Sequence, residues 1–66
     1  MDRTYDIFEK YPDGSSRWLA VVTGRDALLE RLNDLSSTTT NELFAIYMPT
    51  KEIIATRNAK TVAKTA

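Results

Sequence analysis

Sixty-six residues with no cysteine and no histidine make one small domain; no disulfide or thiolate metal site can staple it, and the commonest general base and neutral-pH switch are missing. A chain of this size buries only about 60% of the surface that its unfolded form exposes, so marginal stability is expected. Nine basic and nine acidic side chains cancel, but residues 1–56 hold all nine acids while Arg57, Lys60 and Lys64 stand alone at the end; an acidic body disfavours general nucleic-acid binding, which draws on phosphate neutralisation.

Residues 4–11 alternate loosely and are rich in Tyr, Ile and Phe, which suit a pleated, half-buried strand. Pro12-Asp13-Gly14-Ser15 is a turn, with proline presetting φ and glycine accepting a positive φ. Residues 16–22 return as a second strand. With Asp13 and Gly14 as a two-residue loop, Phe8 faces Leu19, Ile7 faces Ala20 and Tyr5 faces Val22; a three-residue loop would shift that register and exchange the faces. Thr23-Gly24-Arg25-Asp26 starts a helix, with Thr23 as the expected capping acceptor and Asp26 favourable to the helix dipole. The helix runs to about Leu35 and frays over residues 36–40. Leu28, Leu32 and Leu35 form its apolar stripe, Leu29 lies at the margin, and Asp26, Glu30 and Asp34 lie on the opposite side. A polar connection leads to a third strand at 43–48. Pro49-Thr50-Lys51-Glu52 turns the chain, and residues 53–56 form a short fourth strand. Residues 58–66, NAKTVAKTA, hold one large apolar side chain and read as a disordered basic tail.

The resulting reading is a single α+β domain over residues 3–57, a four-stranded sheet of two hairpins (β-β-α-β-β) packed on one helix. That element order and spacing resemble the immunoglobulin-binding domains of protein G. The resemblance implies a sheet whose first and last strands meet in parallel at the centre; an all-antiparallel order is the alternative. Tyr5-Asp6-Ile7-Phe8, Trp18-Leu19-Ala20-Val21-Val22-Thr23-Gly24 and Phe44-Ala45 also resemble short uncharacterised bacterial proteins of this type, which implies a fold and no function.

Alternation along the strands assigns Tyr5, Ile7, Trp18, Ala20, Val22, Phe44, Ile46, Met48 and Ile53 to one face. The other receives Phe8, Leu19, Val21, Leu43, Ala45, Tyr47 and Ile54. Both faces are apolar, whereas a sheet with one solvated face should alternate apolar with polar. A helix of about 11 residues is roughly 16 Å long and covers one face only. The first set, larger and less charged, is expected beneath the helix. The second is then an exposed apolar patch of the kind that marks an interaction site, with Phe8, Leu19, Val21, Tyr47 and Ile54 as the contact and Lys10 and Arg17 beside it. Trp18 is expected in the core or as an edge anchor.

Catalysis is not expected. Ser15 and Ser16 have no histidine to activate them, and nucleophilic chemistry needs a base within hydrogen-bond reach. The Asp26, Glu30, Asp34 stripe matches no Ca²⁺-loop spacing and reads as a solvated helix face, so neither a metal nor a cofactor is expected. The favoured function is a non-enzymatic protein-interaction module, an adaptor or inhibitor, whose partner is itself in a homodimer or another protein. The second reading is a single-stranded nucleic-acid module using Phe8 and Tyr47 with Lys10 and Arg17. The N-terminal stretch is charged and no run approaches the roughly 20 apolar residues of a membrane span, so a cytoplasmic setting without a membrane partner is the default.

Overall fold

The computed structural model describes residues 2–58; the expected tail lies, from residue 59 onward, outside them. Asn58 itself is held, its side-chain amide donating to the carbonyls of Thr39 (2.9 Å) and Asn41 (3.3 Å). The elements follow the expected order: β1 (Thr4–Lys10), β2 (Ser16–Thr23), α1 (Arg25–Ser36), β3 (Glu42–Tyr47) and β4 (Glu52–Arg57). Together they form an α+β fold with one open four-stranded sheet in the order β2-β1-β3-β4, every neighbouring pair antiparallel. The parallel centre is therefore not adopted. β2 and β3 both run opposite to β1, so α1 carries the chain across β1 and delivers β3 to its far side. No helix among the described residues is long and apolar enough to cross a membrane.

The first hairpin combines two registers. Tyr11 N–H donates to Ser15 C=O (2.8 Å) and Gly14 N–H to Tyr11 C=O (2.9 Å), leaving Pro12, Asp13 and Gly14 as a three-residue loop. Gly14 takes φ +94° there, a value that side-chain-bearing residues rarely adopt. Asp13 braces the loop by accepting from the Ser15 backbone N–H (2.9 Å) and hydroxyl (2.7 Å). Near this loop Phe8 pairs with Trp18, not with Leu19. Leu19 is the extra residue of a β-bulge, and beyond it the expected pairs Ile7–Ala20 and Tyr5–Val22 hold. The second hairpin has the same device: Ala45 pairs with Ala55 and Ile46 with Ile53, which leaves Ile54 as the bulge. Each bulge lets two successive residues oppose one on the neighbouring strand, and Leu19 and Ile54 both pack against the core.

The helix begins without the expected Thr23 cap. Gly24 is the N-cap and no side chain accepts from the first turn. Gly24 N–H donates to Arg3 C=O (2.9 Å), so the sheet ladder extends to the helix threshold. Thr23 belongs to that ladder, and its hydroxyl lies 3.0 Å from the Thr4 hydroxyl. Gly24, at φ +93°, makes the turn from strand to helix.

Leu28 and Leu32 project from α1 onto Tyr5 and Ile7 of β1 and Leu43 and Ala45 of β3, and these six form the buried core. Leu19, Val22, Leu35, Tyr47, Ile54 and Ala55 pack around it. The face assignment is thus corrected. Tyr5, Ile7, Ala20 and Val22 lie under the helix as expected, but Trp18, Phe44, Ile46 and Ile53 do not, and Met48 is exposed in the turn after β3. Leu19, Leu43, Ala45, Tyr47 and Ile54 lie on the helix side instead. For Trp18 and Leu19 the cause is the bulge in β2; for the rest it is the β1–β3 pairing, which sets Ile7 beside Ala45 and Phe8 beside Phe44, so the second hairpin sits with the opposite face to that expected turned toward the helix.

Candidate functional site

The face turned away from α1 carries three rows of side chains that cross the strands. The middle row is Trp18, Phe8, Phe44 and Thr56 on β2, β1, β3 and β4. Phe8 and Phe44 occupy opposed positions on the two central strands; their rings are stacked with centroids 5.5 Å apart and planes 15° apart. The row toward the second hairpin's turn is Val21, Asp6, Ile46 and Ile53. The row toward the first hairpin's loop is Ser16, Lys10 and Glu42. Trp18 is 53% exposed, Val21 49% and Ile53 61%, while Phe8, Phe44 and Ile46 are half-buried among their neighbours. Large apolar groups with so much surface in water, gathered on one face, make a patch of the kind that is often functional.

Five of these positions are polar: Asp6, Lys10, Ser16, Glu42 and Thr56. The Trp18 indole Nε1 donates to Asp6 Oδ2 at 3.0 Å. That bond orients the indole across the sheet and gives the carboxylate a donor at the edge of an apolar surface. Lys10 stands directly across the β1–β3 seam from Glu42. A shallow depression of about 200 Å³ lies beside Lys10, Ser16, Glu42, Phe44 and Ile53, room for a side chain and below the roughly 300–1,000 Å³ of small-molecule pockets.

Of the residues expected at the contact, Phe8, Val21 and Lys10 lie on this face. Leu19, Tyr47 and Ile54 belong to the helix side, where Tyr47 stacks obliquely on Tyr5 (6.0 Å) and carries the Arg3 guanidinium 4.7 Å above its ring. Arg17 pairs with Glu9 on β1 and so also leaves the open face. Trp18, Phe44, Ile46 and Ile53 were the members that alternation alone assigned elsewhere. Asp26, Glu30 and Asp34 are exposed along α1 as expected, and among the described residues no three metal-ligating side chains come together.

A separate polar cluster closes the end of the sheet. Glu9 Oε2 accepts from the Thr39 hydroxyl (2.7 Å) and the Asn41 side-chain amide (2.9 Å), and Oε1 from the Tyr11 hydroxyl (3.2 Å). The Asn41 and Thr39 bonds, with that from Tyr11 and the charge of Arg17, hold the Glu9 carboxyl below the usual range. The Tyr11 hydroxyl and the Glu9 charge in turn keep the Arg17 guanidinium more firmly protonated. The donors to Glu9 come from the α1–β3 connection and from Tyr11 just before the first loop, so the cluster ties that connection to the end of the first hairpin.

Comparison with family models, with curated proteins and with solved structures finds no match for this chain.

Proposed function

We propose that this protein is a small interaction module that works by binding and not by catalysis, without a cofactor, and that it associates with itself through the open face of the sheet. The observation that carries this reading is the row Trp18–Phe8–Phe44, flanked by Val21, Ile46 and Ile53, on the face that α1 leaves bare. Trp and other aromatics are the residues that most often anchor interfaces. Face and not edge is favoured because both edge strands, β2 and β4, carry bulges at Leu19 and Ile54, which blunt strand addition. Strands about 4.8 Å apart, rising about 3.3 Å per residue, give the face a footprint on the order of 400 Å². That is about half the ~800 Å² per partner of a standard interface, so a homodimer built on it is expected to be weak.

Sedimentation of the full chain over a concentration series tests the reading. A monomer–dimer equilibrium is expected, abolished by Phe8→Asp with the fold intact by circular dichroism. A wild-type protein that stays monomeric at high concentration, or a Phe8→Asp variant that still dimerises, would overturn it. A second reading is a single-stranded nucleic-acid module, supported by the stacked Phe8–Phe44 pair on the central strands with Lys10 beside it, since aromatic rings on a sheet stack bases. Asp6 and Glu42 on the same face oppose a phosphate backbone. Salt-dependent binding of an oligonucleotide that Phe44→Ala removes would favour this second reading.

A further inference from the structure

We infer that the second copy docks face to face about a two-fold axis parallel to the strands, over the seam between β1 and β3. This rests on the self-association proposed above and gives it a specific geometry. A rotation about that axis lays β1 of one copy over β3 of the other, and β2 over β4, with positions along the strands unchanged. Because Lys10 and Glu42 face each other across the seam, Lys10 of each copy then meets the partner's Glu42. Both charge pairs form at once, as an isologous contact requires. Phe8 and Phe44 are likewise opposed across the seam, so Phe8 meets the partner's Phe44. Val21 and Ile53 occupy the same row on the two edge strands, so Val21 meets the partner's Ile53.

Both in-plane axes pair Lys10 with a carboxylate and set another against Ile46; the one perpendicular to the strands is disfavoured by which carboxylate that is. It would set Lys10 over the partner's Asp6 but press Glu42 onto the partner's Ile46, burying a carboxylate against an aliphatic side chain. With the axis along the strands, it is Asp6 that meets Ile46, and Asp6 already holds the Trp18 indole N–H at 3.0 Å. Aligned sheets pack with their strands about 30° apart. That rotation moves a row about 7 Å from the axis centre by roughly 3–4 Å and the edge-strand positions of that row by about 5 Å, offsets that the long Lys10 and Glu42 side chains and a flexible cross-linker span.

Mixing two charge variants tests the geometry. Lys10→Glu alone places acids opposite acids, and Glu42→Lys alone places lysines opposite lysines. Each is expected to dimerise at least about tenfold more weakly than wild type at low salt, since like charges juxtaposed at an interface are strongly unfavourable. In an equimolar mixture every acid of one variant meets a lysine of the other, and a heterodimer of about wild-type affinity is expected. A rearrangement within one chain cannot be rescued by a second chain, so recovery on mixing reports the contact itself. As a readout that alters no charge, Val21→Cys mixed with Ile53→Cys should cross-link through a short bis-maleimide, the chain having no cysteine of its own. Val21→Cys alone should not. A wild-type dimer disrupted by Phe8→Asp whose charge variants do not recover on mixing, or whose cysteine variants do not cross-link, would overturn the axis while leaving self-association standing. A monomeric wild type would instead remove the underlying reading.

Discussion

At the scale of single residues, the molecule depends on a few fully buried side chains. Ile7, Leu28, Leu32 and Leu43 have no exposed surface, and α1 anchors to the sheet mainly through Leu28 and Leu32. Replacing a buried leucine with alanine costs about 2–5 kcal/mol, against a total of about 5–15 kcal/mol for ordinary domains. Leu32→Ala is therefore expected to remove a large share of the stability, visible as a urea midpoint shifted well below that of the wild type. A wild-type midpoint would mean that the helix does not hold the sheet as described. Phe8, half-buried on the open face, should tolerate a polar replacement without loss of the fold, and the contrast between these two apolar residues separates core from contact surface.

At the scale of elements, the loops are tied by Glu9. Its carboxylate gathers Thr39 and Asn41 from the α1–β3 connection and Tyr11 from just before the first loop, and these bonds hold its pKa below the ordinary range. A carboxyl depressed on folding adds stability above the unfolded value of about 4.3. That contribution falls away as the pH drops through the folded value, because the unfolded chain then binds the proton more readily. Urea titrations at pH 6 and pH 3 should therefore show a smaller acid-induced loss for Glu9→Gln than for wild type. Equal losses would mean that the cluster does not contribute. The bulges act at this scale too. Leu19 and Ile54 shift the register by one residue and turn an additional apolar side chain to the core, enlarging the surface that a single twelve-residue helix must cover.

At the scale of the whole molecule, a two-layer domain with one helix leaves half of its sheet to something else. If a second copy covers that half, stability and association are linked. The melting temperature of the wild type should rise by about 5 °C for each tenfold increase in protein concentration above the Kd. Phe8→Asp should melt at one temperature throughout. A concentration-independent melt for the wild type would place association outside the folding equilibrium.

Local chemistry determined a good deal of this by itself. Alternating apolar strands, the Pro12-Asp13-Gly14 turn, the leucine spacing of α1 and the Pro49 turn together define five elements, their order and the amphipathic helix. The excess of apolar side chains over what one helix can cover also foretold an open apolar face. What tertiary structure alone decided is which residues occupy it. In the first hairpin two of the three expected pairs hold, and a glycine closing a three-residue loop was a hint of the register near it; in the second, the grouping of its residues into two faces was legible. The phase of one hairpin against the other was not legible, because β1 and β3 are joined only through α1 and no turn sets their register. Either phase offers an apolar face to the helix. Burial of Leu43 and Ala45 with Ile7 around Leu28 and Leu32 selects one, and in doing so turns Phe44, Ile46 and Ile53 outward beside Phe8 and Trp18.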